Sequence, residues 1–150
     1  MDEFDKVMKT NLYSQVIGTR LVVPYLRETK GVILNCASIH GTFGFKYMAA
    51  YAASKAGVIS FTKSIAIELG DDEVRVNVLE PGSTHTPMMD GFEISTGNQE
   101  ATRAAIAQDN AIKRYAEAEE VAELAYFLLS KRASACTGAE FKADMGYTAG

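Results

Sequence analysis

Two short apolar runs, each following a long stretch with helical spacing, constrain the fold more than any other feature of this sequence. Val32-Ile33-Leu34 comes after the stretch from Phe4 to Arg27, and "VRVNVLEPG" (74–82) comes after the stretch 49–70. A short continuous apolar run is typical of a parallel strand that is covered on both faces. The alternation therefore predicts an α/β fold with a parallel sheet and right-handed crossovers.

The remaining segments continue this pattern within a single domain over residues 1–150. Pro24 is predicted to bend or end the first helix, and Gly70 is predicted to cap the second. Residues 83–112 are predicted to form a long loop with one short helix near 99–108, and such loops usually serve as lids or binding loops. A helix in 117–130 and a strand in "GAEFKAD" (138–144) precede the tail "MGYTAG".

Composition excludes several classes of protein. Hydrophobic residues make up 47% of the 150, enough for a packed core, and the net charge of −4 argues against nucleic acid or an anionic membrane as a partner. No apolar run reaches the roughly 18 residues that span a bilayer, and no signal peptide is recognisable, so we expect a cytoplasmic protein. Cys36 and Cys136, both predicted to be buried or nearly so, form no disulfide framework. Two histidines without a CxxC make a metal site improbable.

Ser38, Tyr51 and Lys55 form a candidate proton-transfer group where the first strand gives way to a helix. Tyr51 and Lys55 are four residues apart, so they share one face of that helix. An ammonium near a phenol stabilises the phenolate and lowers the pKa of the tyrosine, which suits it to acid–base catalysis. The Ser38 hydroxyl could hold a substrate oxygen beside the phenol.

Three residues alone are a weak signal for this chemistry. Y-x-x-x-K also describes a helix-surface tyrosine beside a solvated lysine, and Ser38 could be an ordinary cap residue. The position of the group is more telling, because ligands of parallel α/β sheets bind beyond the carboxyl ends of the strands. Ser38 and the pair Pro81-Gly82 each follow such an end.

Further motifs make the sequence similar to the short-chain dehydrogenases/reductases from about residue 4 to residue 149. Ser38 precedes Tyr51 by 13 positions, the separation typical of that family. The resemblance rests on five stretches of the chain: "VMKTNLYS" with Asn11, "VILNCASIHG", "YAASKAG", "RVNVLEPGSTHTPM", and "TGAEFKADMGYTAG".

The resemblance implies a role for each matching residue. Tyr51 would be the general acid/base that exchanges a proton with the substrate oxygen. Lys55 would lower the pKa of the tyrosine and bind the nicotinamide ribose, and Ser38 would orient the carbonyl or hydroxyl group. Asn11 would hold a water that links Lys55 to a proton relay.

The resemblance also implies a cofactor, NAD or NADP, and an activity: the interconversion of a secondary alcohol and a ketone. The resemblance places the cofactor against Tyr51 and Lys55, with its nicotinamide end lined by Pro81, Gly82, Thr84 and Thr86. Residues 87–112 would form a mobile substrate loop. Family members are commonly homodimers or homotetramers, so we expect one of these states here.

The family resemblance covers only part of a Rossmann-type doubly wound parallel sheet. The T-G-x-x-x-G-x-G turn that binds the cofactor pyrophosphate does not occur in the sequence, nor does N-N-A-G. We therefore expect the last three family strands with their flanking helices, without the N-terminal cofactor half. The strand at 32–35 would then be a bare sheet edge. Glu80 and Met145 stand where the family usually has a small residue and a glycine.

Three interpretations follow from the sequence. The chain is the carboxyl-terminal part of an alcohol dehydrogenase or carbonyl reductase that is inactive alone, or a catalytically dead module that oligomerises through its two long helices. A Tyr–Lys pair also occurs in sugar-nucleotide epimerases and dehydratases, but the compact ending after "GAEFKAD" argues against that group.

Overall fold

A three-stranded parallel sheet organises the chain, and the computed structural model describes all of residues 1–150. The strands are β1 (Val32–Cys36), β2 (Arg75–Pro81) and β5 (Glu140–Ala143), in the spatial order β1-β2-β5. The register of β1 and β2 places Val32 opposite Arg75, and β2 pairs with β5 from Val78 opposite Glu140. The predicted α/β fold with a partial parallel sheet is confirmed.

A single long helix precedes the sheet, and one π-helical segment interrupts its α-helical hydrogen bonding. It consists of α1 (Asp2–Met8), a π-helical segment (Lys9–Tyr13) and α2 (Ser14–Thr29). Pro24 lies inside α2 and does not end it. Val23 and Leu26, on either side of the proline, pack against the buried core, so tertiary contacts hold the helix together across the lost N–H.

The second long helix, α3 (Ala49–Glu68), packs against β1 and β2 and contributes Val58, Ile59 and Ala66 to the core. Two buried clusters lie beneath it. One contains Ala37, Val58, Ile59 and Val78. The other contains Ala66, Leu69, Val74 and Val76. The helix ends at Glu68 with Leu69 as its cap, slightly before the predicted Gly70.

The segment 83–112 is more ordered than the predicted loop with one helix. A short parallel pair, β3 (Thr84–His85) with β4 (Ala116–Glu117), closes its two ends. Between them lie α4 (Pro87–Ser95) and α5 (Gln99–Asp109), of which only α5 was predicted. The Thr86 side chain accepts a hydrogen bond from the Met89 N–H, and Pro87 opens α4, which is a standard helix start.

The last helix, α6 (Ala118–Leu129), packs against β1, β2 and β5. It begins with a capping box in which Glu117 and Glu120 satisfy each other's backbone N–H groups. After β5, the predicted tail forms a 3₁₀ turn at Tyr147–Ala149. Before that turn, Met145 adopts a left-handed conformation with φ 54°.

β1 is an edge strand, as predicted, because β2 is its only neighbour. This position explains why Cys36 is exposed, contrary to the prediction that both cysteines are buried; Cys136 is half-buried. None of the helices combines the length and apolar character that a membrane crossing requires.

Candidate active site

The carboxyl end of β1 brings three of the predicted residues together. Ser38 follows the strand directly, and α3 presents Tyr51 and Lys55 one turn apart on the same face. Gly41 makes this approach possible, because a Cβ at residue 41 would lie 2.8 Å from the backbone carbon of Lys55. The short turn after Ser38 therefore packs directly on the helix that carries Tyr51.

Ser38 is fixed at the start of the turn that follows β1. It is buried, its backbone is extended, and its Oγ accepts a hydrogen bond from the His40 N–H at 3.3 Å. A hydroxyl has two lone pairs and one O–H, so Ser38 can still donate one hydrogen bond and accept another. Its hydroxyl is close enough to the Tyr51 phenol to oppose the rise in the pKa of Tyr51.

The pKa of Tyr51 is raised rather than lowered. Burial disfavours the phenolate and is the larger cause, while the Ser38 hydrogen bond works in the opposite direction. The Lys55 Nζ lies 5.6 Å from the centroid of the Tyr51 ring. Lys55 is not among the groups that shift the pKa of Tyr51 in this structure, so a lowering by Lys55 stays a prediction.

Lys55 is tethered to β1. Its ammonium donates to the Cys36 carbonyl at 3.1 Å, and burial lowers the pKa of the lysine. An ammonium has three N–H groups, so this bond leaves donors for other acceptors. Lys55 is thus fixed in position while N–H groups of its ammonium remain available for further hydrogen bonds.

Asn11 lies at the centre of the π-helical segment and faces α3. Its Nδ2 donates to the Ser54 Oγ at 3.1 Å, and its backbone carbonyl accepts from the Gln15 Nε2 at 2.9 Å. π-Helical turns are rare and occur often at functional sites. The structure therefore places Asn11 near the proton-transfer residues but links it to them through other groups.

Gln15 is the residue that sequence reasoning missed. Its Nε2 also donates to the Cys36 carbonyl at 3.1 Å, and its Oε1 accepts from the Cys36 N–H at 2.9 Å. The Cys36 carbonyl consequently joins Gln15 to Lys55, and Gln15 joins both to Asn11. The spacing of four residues between Asn11 and Gln15 on one helix face was the available signal.

The predicted nicotinamide-side residues lie beyond the end of β2, next to the strand that follows α6. Pro81 ends β2, and the Gly82 N–H donates to the Ala143 carbonyl at 3.0 Å. A Cβ on Gly82 would lie 2.7 Å from the Asp144 Cα, so only glycine fits there. The Thr84 Oγ1 donates to the Gly82 carbonyl at 3.0 Å. Thr86, which caps α4, completes this segment.

Glu80 is fully buried in β2, beneath the turn that follows Ser38. One of its carboxylate oxygens accepts from the Thr42 Oγ1 at 2.6 Å, and the other has no partner. Burial raises the pKa of Glu80, and the nearby Glu140 raises it further. The charge that looked anomalous in the sequence is therefore a buried acid that anchors the active-site turn.

The segment formed by α4 and α5 has its own buried acid, but this one is ionised. Glu93 is fully buried and accepts hydrogen bonds from Arg103 at 2.7 and 3.0 Å. Despite its burial, the arginine and neighbouring hydrogen bonds hold the pKa of Glu93 below its usual value, and Arg103 also pairs with Asp90 at 2.6 Å. These contacts fasten α5 to α4 and give the predicted substrate loop a fixed core.

Comparison with known proteins agrees with this geometry. The family model described as enoyl-(acyl carrier protein) reductase matches residues 1–148. Trans-4-hydroxycyclohexanecarboxylate dehydrogenase of Sinomonas cyclohexanicum is 37% identical over 150 residues, covering 100% of this chain and 54% of the relative. Cyclopentanol dehydrogenase of Comamonas testosteroni is 38% identical over 149 residues, with 99% and 58% covered.

Solved structures give the same result. The crystal structure of levodione reductase superposes with a TM-score of 0.95 and 35% identity, covering 99% of this chain and 59% of that one. A 4-hydroxyisoleucine dehydrogenase complexed with NADH superposes with a TM-score of 0.91 and 32% identity, with 99% and 60% covered. The chain thus spans little more than half the length of the proteins it matches. It belongs to the short-chain dehydrogenase/reductase family, of which it represents a partial domain.

Proposed function

We propose that this chain is the catalytic and substrate-binding part of an NAD(P)-dependent oxidoreductase that interconverts a secondary alcohol and a ketone. The observation that carries the proposal is the convergence of Ser38, Tyr51 and Lys55 at the carboxyl end of β1. Relatives named as dehydrogenases and reductases of cyclic alcohols and ketones support the same class of reaction.

Ser38 and Tyr51 would handle the substrate oxygen between them. Ser38 donates its hydroxyl hydrogen to that oxygen, while its own oxygen keeps accepting from the His40 N–H. Tyr51 then gives its phenolic proton to the oxygen during ketone reduction and takes it back during alcohol oxidation. A tyrosine keeps its phenolic proton at neutral pH, and burial, which raises the pKa of Tyr51, favours this protonated form as the donor in ketone reduction.

Lys55 and its neighbours would return a proton to Tyr51. Lys55 is fixed by the Cys36 carbonyl, which also accepts from Gln15, and Gln15 reaches the Asn11 carbonyl. This row of polar groups leads from the phenol side of α3 to the π-helical segment. In our proposal it orients the water that Asn11 is expected to hold.

The nicotinamide end of a dinucleotide fits the residues present. Lys55 retains N–H donors for ribose hydroxyls. Pro81, Gly82, Thr84 and Thr86 lie at and beyond the carboxyl end of β2, the strand next to β1. Bound there, the cofactor would supply or accept the hydride. The pyrophosphate end has no counterpart in this sequence, because the glycine-rich turn that binds it is absent from these 150 residues. We therefore propose that the chain does not turn over substrate by itself.

Assay of the chain with NAD⁺ and NADP⁺ against a panel of secondary alcohols tests this proposal directly. We expect no turnover above background from residues 1–150 alone. Robust turnover would contradict the proposed lack of a complete cofactor site, while supporting the oxidoreductase class.

A chimera tests the chemistry of Tyr51. Residues 1–150 are joined to the amino-terminal part of levodione reductase, the solved protein to which the chain is 35% identical. We expect a folded, NADH-binding dehydrogenase in which Tyr51→Phe lowers kcat by at least about a hundred-fold, because the phenylalanine has no proton to transfer. A folded chimera that binds NADH and keeps its activity after Tyr51→Phe would refute the assigned role.

A second candidate function is that of an oligomerising module without catalysis. It is favoured by a row of exposed apolar side chains at every fourth position along the first helix. The exposed fractions are 51% for Tyr13, 57% for Ile17, 65% for Leu21 and 70% for Tyr25. Such a row makes one continuous stripe on a helix and is typical of a surface that another helix covers.

Light scattering at increasing protein concentration tests the second candidate. We expect a dimer or tetramer, and we expect Leu21→Lys together with Tyr25→Lys to shift it to a monomer. A well-folded monomer at high concentration would rule this function out.

A further inference from the structure

An aromatic cluster extends from the active-site turn to the carboxyl-terminal tail. The His40 ring stacks on Phe45 with centroids 4.8 Å apart, and it meets Phe43 edge-on at 5.8 Å. Phe43 in turn stacks on Tyr147 at 5.4 Å. These four rings, His40, Phe43, Phe45 and Tyr147, are called the aromatic wall below.

One end of the aromatic wall, His40, lies close to the proposed proton-transfer residues Ser38 and Tyr51. His40 lies two residues after Ser38, and its ring centroid is 6.2 Å from that of Tyr51, at an interplanar angle of 83°. A substrate whose oxygen lies between Ser38 and Tyr51 must place its carbon skeleton within a few ångströms of these rings. The residues that follow β2 lie on the proposed cofactor side, so the aromatic wall is, beside the predicted substrate loop 87–112, a surface available to the substrate carbon atoms.

The far end of the aromatic wall is fixed by the tail. Asp144 accepts hydrogen bonds from the Gly146 N–H at 3.0 Å, the Thr148 N–H at 3.0 Å and the Thr148 hydroxyl at 2.6 Å. These bonds hold the 3₁₀ turn that carries Tyr147. Asp144 itself packs on Gly82, where no Cβ intervenes. Tyr147 is therefore set in place before any ligand binds, which reduces the entropy lost on binding.

The rings of the aromatic wall offer apolar faces without a charge. Burial lowers the pKa of His40, so this ring is neutral at physiological pH. The two ammonium groups that approach aromatic rings do so elsewhere: Lys55 lies over Tyr51, and Lys46 lies over Tyr47, which is 91% exposed. Phe45 remains 44% exposed, so part of the apolar surface is open to a ligand.

We propose that the aromatic wall binds the carbon skeleton of the substrate and selects an uncharged cyclic secondary alcohol or ketone over an open-chain one of equal carbon number. The proposal rests on the proposed function, since it requires that Tyr51 bind the substrate oxygen. A ring presents a rigid apolar face to the stacked side chains, whereas an open chain loses rotational freedom when it is immobilised there. His40 and Phe45 are the residues that determine this preference.

Ligand-observed NMR on the 150-residue chain tests the proposal without cofactor or turnover. The probes are cyclohexanol and hexan-2-ol, two uncharged secondary alcohols with six carbon atoms each. We expect cyclohexanol to bind about five-fold more tightly, the size of effect that one or two immobilised rotors produce. We expect trans-4-hydroxycyclohexanecarboxylate to bind more weakly than cyclohexanol, because the aromatic wall has no cation for the carboxylate.

Variants then assign the preference to the aromatic wall. His40→Ala and Phe45→Ala should bring the two alcohols to equal affinity, whereas His40→Phe should retain the preference because it keeps a neutral ring. Tyr126→Ala is the matched control, since this tyrosine is 73% exposed on α6. Equal binding of the two alcohols, binding of neither, tighter binding of the carboxylate, or an unchanged preference in His40→Ala would each overturn the proposal.

The two proposals fail separately. Loss of the ring preference in an active chimera would overturn the role of the aromatic wall and leave the dehydrogenase function intact. A chimera that binds NADH without activity, combined with an intact ring preference in NMR, would overturn the catalytic function and leave the apolar binding surface.

Discussion

The two edges of the three-stranded sheet differ in their chemistry. β1 consists of Val, Ile, Leu, Asn and Cys, without a charged side chain, whereas the four residues of β5 include Glu140 and Lys142. Glu140 also forms an ion pair with Lys63 of α3. Charged side chains discourage an edge from pairing with another strand, and an apolar edge invites it. β1 thus has the sequence of an interior strand, while β5 has the sequence of a true edge.

The β1 edge and the region toward β5 are also held in place by different hydrogen bonds. The end of β1 is held by the Gln15 amide, which reaches the exposed backbone of Cys36. Toward β5, the fully buried Asn77 donates to the Cys136 carbonyl at 2.8 Å and accepts from the Ala139 N–H at 3.1 Å. Water can replace the first set of hydrogen bonds but not the second.

Asn77→Ala should therefore give the largest loss of stability. It leaves the Ala139 N–H without its acceptor and removes one of two side-chain donors to the Cys136 carbonyl, which Arg75 also contacts at 3.2 Å, so we expect a loss of about 2 kcal/mol in the free energy of unfolding. Gln15→Ala is the matched control at the other edge, with an expected loss of about 1 kcal/mol because its partners are exposed. Urea denaturation of both variants measures the difference, and equal losses would contradict the contrast between the two sides.

Glu80→Gln should change the pH dependence of stability, with an effect on the order of 1 kcal/mol. The folded state raises the pKa of Glu80, so wild-type stability falls as pH rises from the unfolded pKa through the folded one. Glutamine carries no titrating proton, and the variant should gain on wild type as pH rises above the unfolded pKa of a glutamate.

Glu140→Gln is the control of opposite sign. Lys63 is the first cause that lowers the pKa of Glu140, so this carboxylate stabilises the fold above its unfolded pKa and loses that contribution as pH falls. Urea midpoints of both variants across the pH range provide the test. Parallel pH profiles for Glu80→Gln and wild type would refute the buried-acid assignment.

Adding a charge to the β1 edge, or removing one from the β5 edge, should alter self-association of the chain. Val32→Lys places a charge on β1 and should lower the aggregated fraction several-fold, whereas Lys142→Val should raise it by removing a charge from β5. Static light scattering during a concentration series measures both. If Val32→Lys leaves aggregation unchanged, the open backbone of β1 is not the surface through which the chain associates.

The smallest effect is expected at the turn after β5. Met145 has φ 54°, a conformation that costs a side-chain-bearing residue about 1 kcal/mol relative to glycine. Met145→Gly should therefore raise the unfolding free energy by up to that amount. Gly146→Ala, at φ 77° and with a new Cβ 2.7 Å from Ala111, should lower it, and thermal denaturation distinguishes the two signs.

The sheet could be predicted from the sequence because strands are marked by patterns within a few consecutive residues. Continuous apolar runs marked β1 and β2, and an acidic first turn marked α6. The predicted site residues Ser38, Tyr51 and Lys55 come together because strand ends and helix spacing are also local features.

Properties that depend on distant neighbours were not predictable in the same way. The raised pKa of Tyr51 reflects burial by the whole fold, and the exposure of Cys36 reflects the absence of a second strand beside β1. The stacking of Tyr147 on Phe43 joins residues about a hundred positions apart in the sequence. By contrast, α4 could have been found from the sequence, through Thr86 and Pro87 at its start.

The π-helical segment Lys9–Tyr13 has a consequence for which changes in chain length the protein can tolerate. Each residue turns an α-helix by about 100°, and a π turn adds one residue to the helix. Asn11 points at Ser54 while the apolar row from Tyr13 to Tyr25 points outward, and both orientations depend on that added residue. A deletion of one residue here would rotate one of these features away from its place. At this segment, the number of residues therefore matters as much as their identity.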